Sequence, residues 1–179
     1  MDYFIRKATL ADRAAIEQLI RESARVLSRK DYSGEQIEAA IRSVFGVDTS
    51  LILDGTYFVA ESSAGMLVGC GGWSRRKTLF GGDQFASRDS SELDPQTEPA
   101  KIRAFFIHPD FARKGIGRAI LSRCEEEARA CGFRSLELMS TLPGLKLYRA
   151  CGYEGDERIE HEIGGGTTIQ FVPMRKDLL

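Results

Sequence analysis

Histidine is scarce in this chain. Only His108 and His161 occur, and the four cysteines, Cys70, Cys124, Cys131 and Cys151, never fall in a C-x-x-C spacing. The common zinc ligand sets are therefore missing, and no metal is expected. No cysteine has an evident histidine partner, so a nucleophilic thiol is disfavoured. The cysteines read instead as small buried apolar residues of a reducing compartment. Cys124 and Cys131, seven apart on a predicted helix, are expected to share a buried face. Long hydrophobic runs are also absent; none approaches the roughly 20 residues of a membrane-spanning helix. The start, M-D-Y-F-I-R-K, lacks the apolar core of a secretory signal. The expected location is the cytoplasm, with no membrane partner. An excess of one charge is missing too. The net charge is −1, which disfavours a nucleic-acid partner held by overall charge.

What is present is an ordinary globular composition over 179 residues, enough for one domain, 1–179, with a sizeable core. The periodicities predict a strand at 3–6, then a helix from Leu10 to about Ser28 capped by Thr9, with Leu10, Ile16, Leu19, Ile20 and Leu27 on its apolar face. Ser33 and Gln36 have capping-box spacing and open a second helix that Gly46 ends. Strands at 56–61 and 66–73 flank S-S-A-G as a hairpin. Residues 74–99 read as a long loop, and a strand returns over 101–108. A helix covers 116–130, a strand 135–139 and a short helix 145–150. Runs 153–163 and 167–174 around Gly164-Gly165-Gly166 make a terminal hairpin, a candidate homodimer surface, with Pro173 at an edge or strand end. The order β-α-α-β-β-loop-β-α-β-α-β-β implies an α+β fold around a mixed sheet.

The most informative stretch is I-H-P-D-F-A-R-K-G-I-G-R-A-I-L, Ile107 to Leu121. A strand-like run stops at His108-Pro109, a basic glycine turn follows, and a helix begins. Backbone N–H groups at a helix start lack intrahelical partners, and the helix dipole favours an anion there. Arg113, Lys114 and Arg118 surround the turn, and Gly115 and Gly117 keep side chains out of the way. A phosphorylated ligand is expected. The bland alternative is a plain turn with solvated basic residues. A dinucleotide-binding oxidoreductase is the other, but Ile120 stands where G-x-G-x-x-G needs its third glycine, and a Walker lysine is absent.

The stretch resembles the acyl-CoA-binding segment [QR]-x-x-G-x-[GA] of the GNAT superfamily of N-acetyltransferases. Gly115 and Gly117 match its glycines; Ala112 stands where Gln or Arg is usual, and Arg113 shifts the charge by one. L-Y-R-A-C-G-Y-E, Leu147 to Glu154, is similar to the family's [FL]-Y-x-x-x-G-[FY] segment. The resemblance implies a single-domain GNAT-like mixed sheet with a splayed centre and helices on both faces. It implies acetyl-CoA as co-substrate, bound by Phe106, Ile107, Arg113, Lys114, Gly115, Ile116, Gly117 and Arg118. A bulge in the strand ending at Ile107 would free main-chain groups for the pantetheine arm, and the Ile107 N–H would face the thioester oxygen.

The implied reaction is transfer of an acetyl group from acetyl-CoA to a primary amine of a small molecule or protein, by direct attack. Tyr148 matches the tyrosine that protonates the departing thiolate, and a phenol with a pKa of about 10 carries the needed proton at neutral pH. Packing alone is the other reading of Tyr148. No general base stands out: Glu137 lies on the strand after the motif helix, and Asp83, Glu92 and Glu98 lie in the long loop. Trp73 with Arg75-Arg76-Lys77 reads either as an acceptor-site lining or as a solvated strand end. A non-catalytic acyl-CoA-binding sensor on the same fold is the alternative function.

Overall fold

A computed structural model describes residues 2–85 and 88–179. One seven-stranded sheet runs in the order β1-β2-β3-β4-β5-β7-β6. Its strands are β1 (Tyr3–Lys7), β2 (Tyr57–Ser62), β3 (Leu67–Ser74), β4 (Ala100–Ile107), β5 (Ser135–Thr141), β6 (Ile159–Glu162) and β7 (Thr168–Asp177). Neighbours are antiparallel except β4 and β5. The helices are α1 (Arg13–Leu27), α2 (Gly34–Ser43), α3 (Thr49–Leu53), α4 (Ile116–Ala130) and α5 (Leu145–Ala150). The core has two parts. Residues of α1, α2 and α3 pack on one face of the sheet, and α4 and α5 on the other.

Helix α1 buries Ile16, Leu19, Ile20, Ser23 and Ala24, a stripe of period 3.6. A 3₁₀ turn, Leu10–Asp12, precedes it. The helix therefore starts later than the pattern suggested, and Leu10 is exposed rather than part of the stripe. The Asp12 carboxylate accepts the Thr9 amide at 2.7 Å and pairs with Arg6 at 2.8 Å, tying the helix entry to β1. The Ser33–Gln36 capping box forms in both directions, at 3.1 and 2.8 Å. Helix α2 stops at Ser43, short of Gly46, and α3 follows, which the sequence reading did not separate.

Three further expectations change. Cys124 is buried, but the helix ends before Cys131, which is exposed. The run 153–163 is strand only from Ile159; upstream, Glu154 bridges to Arg175. Pro173 sits inside β7, opposite Met139 of β5, on an interior strand rather than on an edge strand or at a strand end. Arg175 exchanges backbone bonds with Glu154, so by strand alternation Pro173 turns its nitrogen to that same side, beyond the last β6 pairing at Phe171. No ladder bond is lost there.

Strands β4 and β5 pair only at Ala100–Leu136 and Lys101–Glu137 and then diverge. The sheet thus opens into a wedge at its centre. On the other side of β4 the ladder slips: Cys70 faces Phe106 and Gly72 faces Arg103, so Gly71 alone opposes Ala104 and Phe105. Ala104 takes φ +56°, the local cost of this bulge. Gly71 is required here, because a Cβ would lie 2.6 Å from the Phe105 ring.

Candidate active site

The wedge opens onto a cleft of about 520 Å³. One wall is β4 from Phe105 to Ile107, another is the turn before α4, and α5 and the end of β5 close the far side. Every residue expected at the cofactor site except Lys114 lines it, and so does Tyr148. Lys114 turns away: its ammonium donates to the Asp110 carbonyl at 2.8 Å and lies over the Phe111 ring.

The turn owes its shape to two left-handed residues, Arg113 at φ +62° and Gly115 at φ +84°. Gly115 is the N-cap of α4, and no side chain caps the helix. The amides of Gly115, Ile116, Gly117 and Arg118 find no acceptor among the described residues. They form the donor set an anion would need. The two glycines serve different ends. Gly115 supplies backbone conformation, since a Cβ there would meet nothing within 4 Å. Gly117 supplies room, since a Cβ would lie 3.0 Å from Leu147 of α5. Arg113 and Arg118 are exposed at the mouth. These donors and charges fit a pyrophosphate, and the apolar wall of Phe105, Phe106, Ile107, Pro143 and Leu147 fits a slender aliphatic chain behind it.

The His108 amide donates to Val68 of β3 at 3.0 Å. Strand alternation then turns the Ile107 N–H away from β3, toward the open wedge. Tyr148 is buried on α5, edge-on to Phe105 at 6.2 Å and to Tyr153 at 5.8 Å between ring centroids. Its hydroxyl makes no hydrogen bond among the described residues. Burial raises its pKa above that of a free phenol, so it carries a proton throughout the neutral range. Phe105 packs on the α4 side and Phe106 on the α1 side, as their alternation suggested.

A second pocket, of about 80 Å³, adjoins the cleft and shares Phe45, Phe105, Phe106, Thr141 and Tyr148 with it. Its remaining walls include Phe80, Gly81, Arg103 and Phe171. Part of it comes from the long segment after β3. Lys77 and Leu93 make backbone bonds with Ser91 and Arg75, so the segment doubles back, and its tip docks on the α2–α3 connection through the Gly82 and Asp83 amides. Sequence reasoning missed this pocket. The one available signal was Phe80 and Phe85 flanking Gly81-Gly82 in an otherwise polar stretch.

The carboxylates considered as bases lie elsewhere. Glu137 is paired with Lys101, Asp83 accepts from Thr49, and Glu98 accepts the Asp94 amide. Glu92 bridges to Arg76 through the backbone. None lines the cleft or the pocket. Trp73 is neither acceptor lining nor solvated. It is fully buried against Phe133 and donates to Glu127 at 3.1 Å. Arg76 is held by Asp54 at 2.8 Å.

The sequence profile described as the acetyltransferase (GNAT) family matches residues 15–153. Curated protein sequences give no significant match. Among solved structures, a GCN5-related N-acetyltransferase from Rhodopseudomonas palustris superposes with a TM-score of 0.72 at 19% identity, over 99% of this chain and 96% of that one. The PaiA N-acetyltransferase of Thermoplasma acidophilum, crystallised with coenzyme A, gives 0.65 at 17% identity, over 99% of each chain. The YncA acetyltransferase of Salmonella typhimurium, crystallised with acetyl-CoA, gives 0.64 at 19% identity, over 99% and 95%. These likenesses speak for the fold.

Proposed function

The chain belongs to the GNAT acetyltransferase family, and from that premise we propose that it transfers an acetyl group from acetyl-CoA to a primary amine, with Tyr148 as the acid. One observation carries the reading. The wedge between β4 and β5 places four unpartnered amides of the α4 turn and a protonated, unbonded Tyr148 hydroxyl on the walls of one cleft. That two solved relatives of the same fold hold coenzyme A or acetyl-CoA supports the choice of co-substrate.

In this account Gly115, Ile116, Gly117 and Arg118 hold the pyrophosphate through their amides, with Arg113 and the Arg118 side chain adding charge. Phe106 and Ile107 line the acyl arm. The Ile107 N–H donates to the thioester oxygen as charge develops on it. The incoming amine must be neutral; its lone pair forms the C–N bond while the C–S bond breaks. Tyr148 gives its proton to the sulfur, and the amine's surplus proton leaves to water, since no carboxylate among the described residues lines the cleft. The same lack of a lining carboxylate favours a second reading, an acyl-CoA-binding sensor without turnover. Free thiol release from acetyl-CoA, measured across a panel of amines, separates the two: release dependent on an amine supports transfer, and tight binding without release supports the sensor.

A further inference from the structure

The small pocket beside the cleft has an unusual chemistry. Its walls are mostly aromatic and aliphatic, yet among the described residues they include one buried cation, Arg103, and no carboxylate. The Arg103 side chain is 2% exposed. Its Nη2 donates to Asp48 and to the Gly81 carbonyl, but its Nε has no acceptor among the described residues. A buried donor on a charged group is costly to leave unpaired. Asp48 does not use up the charge. It is fully buried and also binds Arg88 at 2.8 Å, and Arg88 and Arg13 reach the other aspartate of the cluster, Asp83. Asp48 is thus shared between Arg103 and Arg88 rather than given to Arg103 alone.

We propose that this pocket takes the body of the acetyl acceptor, and that the acceptor is a small amine carrying a carboxylate and an apolar body. The inference rests on the acetyl-transfer reading and narrows its substrate. The carboxylate pairs with the Arg103 guanidinium, a charge-assisted bond in a dry site. The apolar body lies among Phe45, Phe80, Phe106 and Phe171. Phe45 and Phe106 meet edge-on at 5.6 Å, and Phe80 and Phe171 stack tilted at 5.5 Å, so these walls are preset. The amine then points back to Tyr148 and Ile107, which the pocket shares or adjoins. A polyamine or lysine-rich peptide fits poorly, because nothing acidic lines either space to receive extra positive charge.

The test has a binding arm and a turnover arm. In the first, the protein is saturated with coenzyme A and its melting temperature is read with apolar α- and ω-amino acids, and with the matching amides in which the carboxylate is masked. A rise with free acids, absent with the amides, is expected. In the second, thiol release from acetyl-CoA is followed with the same pairs and with spermidine. The free acid should exceed its amide at least thirtyfold in kcat/KM. Arg103→Lys, which keeps the charge but loses the planar guanidinium, should raise KM for the acid more than tenfold while acetyl-CoA affinity holds. Phe80→Ala, nearer the surface and less able to disturb folding, should raise KM for the bulkier acids only. Equal response to acids and amides, or preference for spermidine, overturns the proposal while leaving acetyl transfer standing. Failure of acetyl-CoA to bind at all strikes the underlying reading instead, and the melting arm, repeated on the protein without coenzyme A, then decides the pocket.

Discussion

The Tyr57 hydroxyl on β2 donates to the Ala104 carbonyl in the β4 bulge at 3.2 Å. The Cys70 thiol, from β3 between them, donates to the same oxygen at 3.6 Å. Burial holds the tyrosine protonated and pushes the thiol up to about 12. Two neutral donors therefore hold the peptide that follows a residue at φ +56°, a conformation costing on the order of 1–2 kcal/mol in a non-glycine residue. The bulge turns the main chain toward the wedge, so these donors bear on how Phe106 and Ile107 are presented.

Tyr57→Phe keeps the ring and loses this bond. It should lower stability by about 1–2 kcal/mol, read by urea denaturation. Turnover should fall a further tenfold or more, because catalytic groups lose rate when misplaced by a fraction of an ångström to an ångström. A stability loss with unchanged kcat/KM would show that the bond serves folding alone.

Gly115→Ala strains the left-handed N-cap without meeting any neighbour. The strain should cost about 1–2 kcal/mol and rotate the free amides of the α4 turn. Acetyl-CoA affinity, measured by calorimetry, should fall at least tenfold. Gly117→Leu should do the same by crowding Leu147. Unaltered affinity in both variants would mean that the anion site lies elsewhere.

The Arg6 guanidinium beside Asp12 lowers that carboxyl from its ordinary value to about 2. A depressed folded pKa stabilises the fold fully above the unfolded value near 3.8 and loses that contribution as pH falls through about 2. Solvent screens the pair, so its worth at neutral pH is about 1 kcal/mol. Asp12→Asn should therefore unfold more easily than the parent at pH 6, and the gap should close between pH 4 and 2.

Much of this was legible in the sequence because it is local. The α4 turn, its two glycines and the Tyr148 segment are contiguous motifs, and the Ser33–Gln36 box is a spacing. The splayed centre followed only from family resemblance. What escaped reading is what distant segments build together. Helix α3 is too short to show a period. Cys131 shares a helical phase with Cys124 but lies past the helix end. Trp73 and Arg76 find partners 54 and 22 residues away. The Arg103 pocket draws on the α2–α3 connection, the long segment, β4, β5, α5 and β7, and no one-dimensional pattern joins them.

Acetyl transfer in this cleft, as proposed, depends on Tyr148 as the acid. The direct measurement is a pH profile of kcat for the parent and Tyr148→Phe, with acetyl-CoA affinity measured in both. Equal affinity is expected, with a kcat lower by about 10²-fold or more in the variant and no loss of parent activity from phenol ionisation below pH 10, because burial raises that pKa. Equal kcat for the two proteins across the profile would contradict that role.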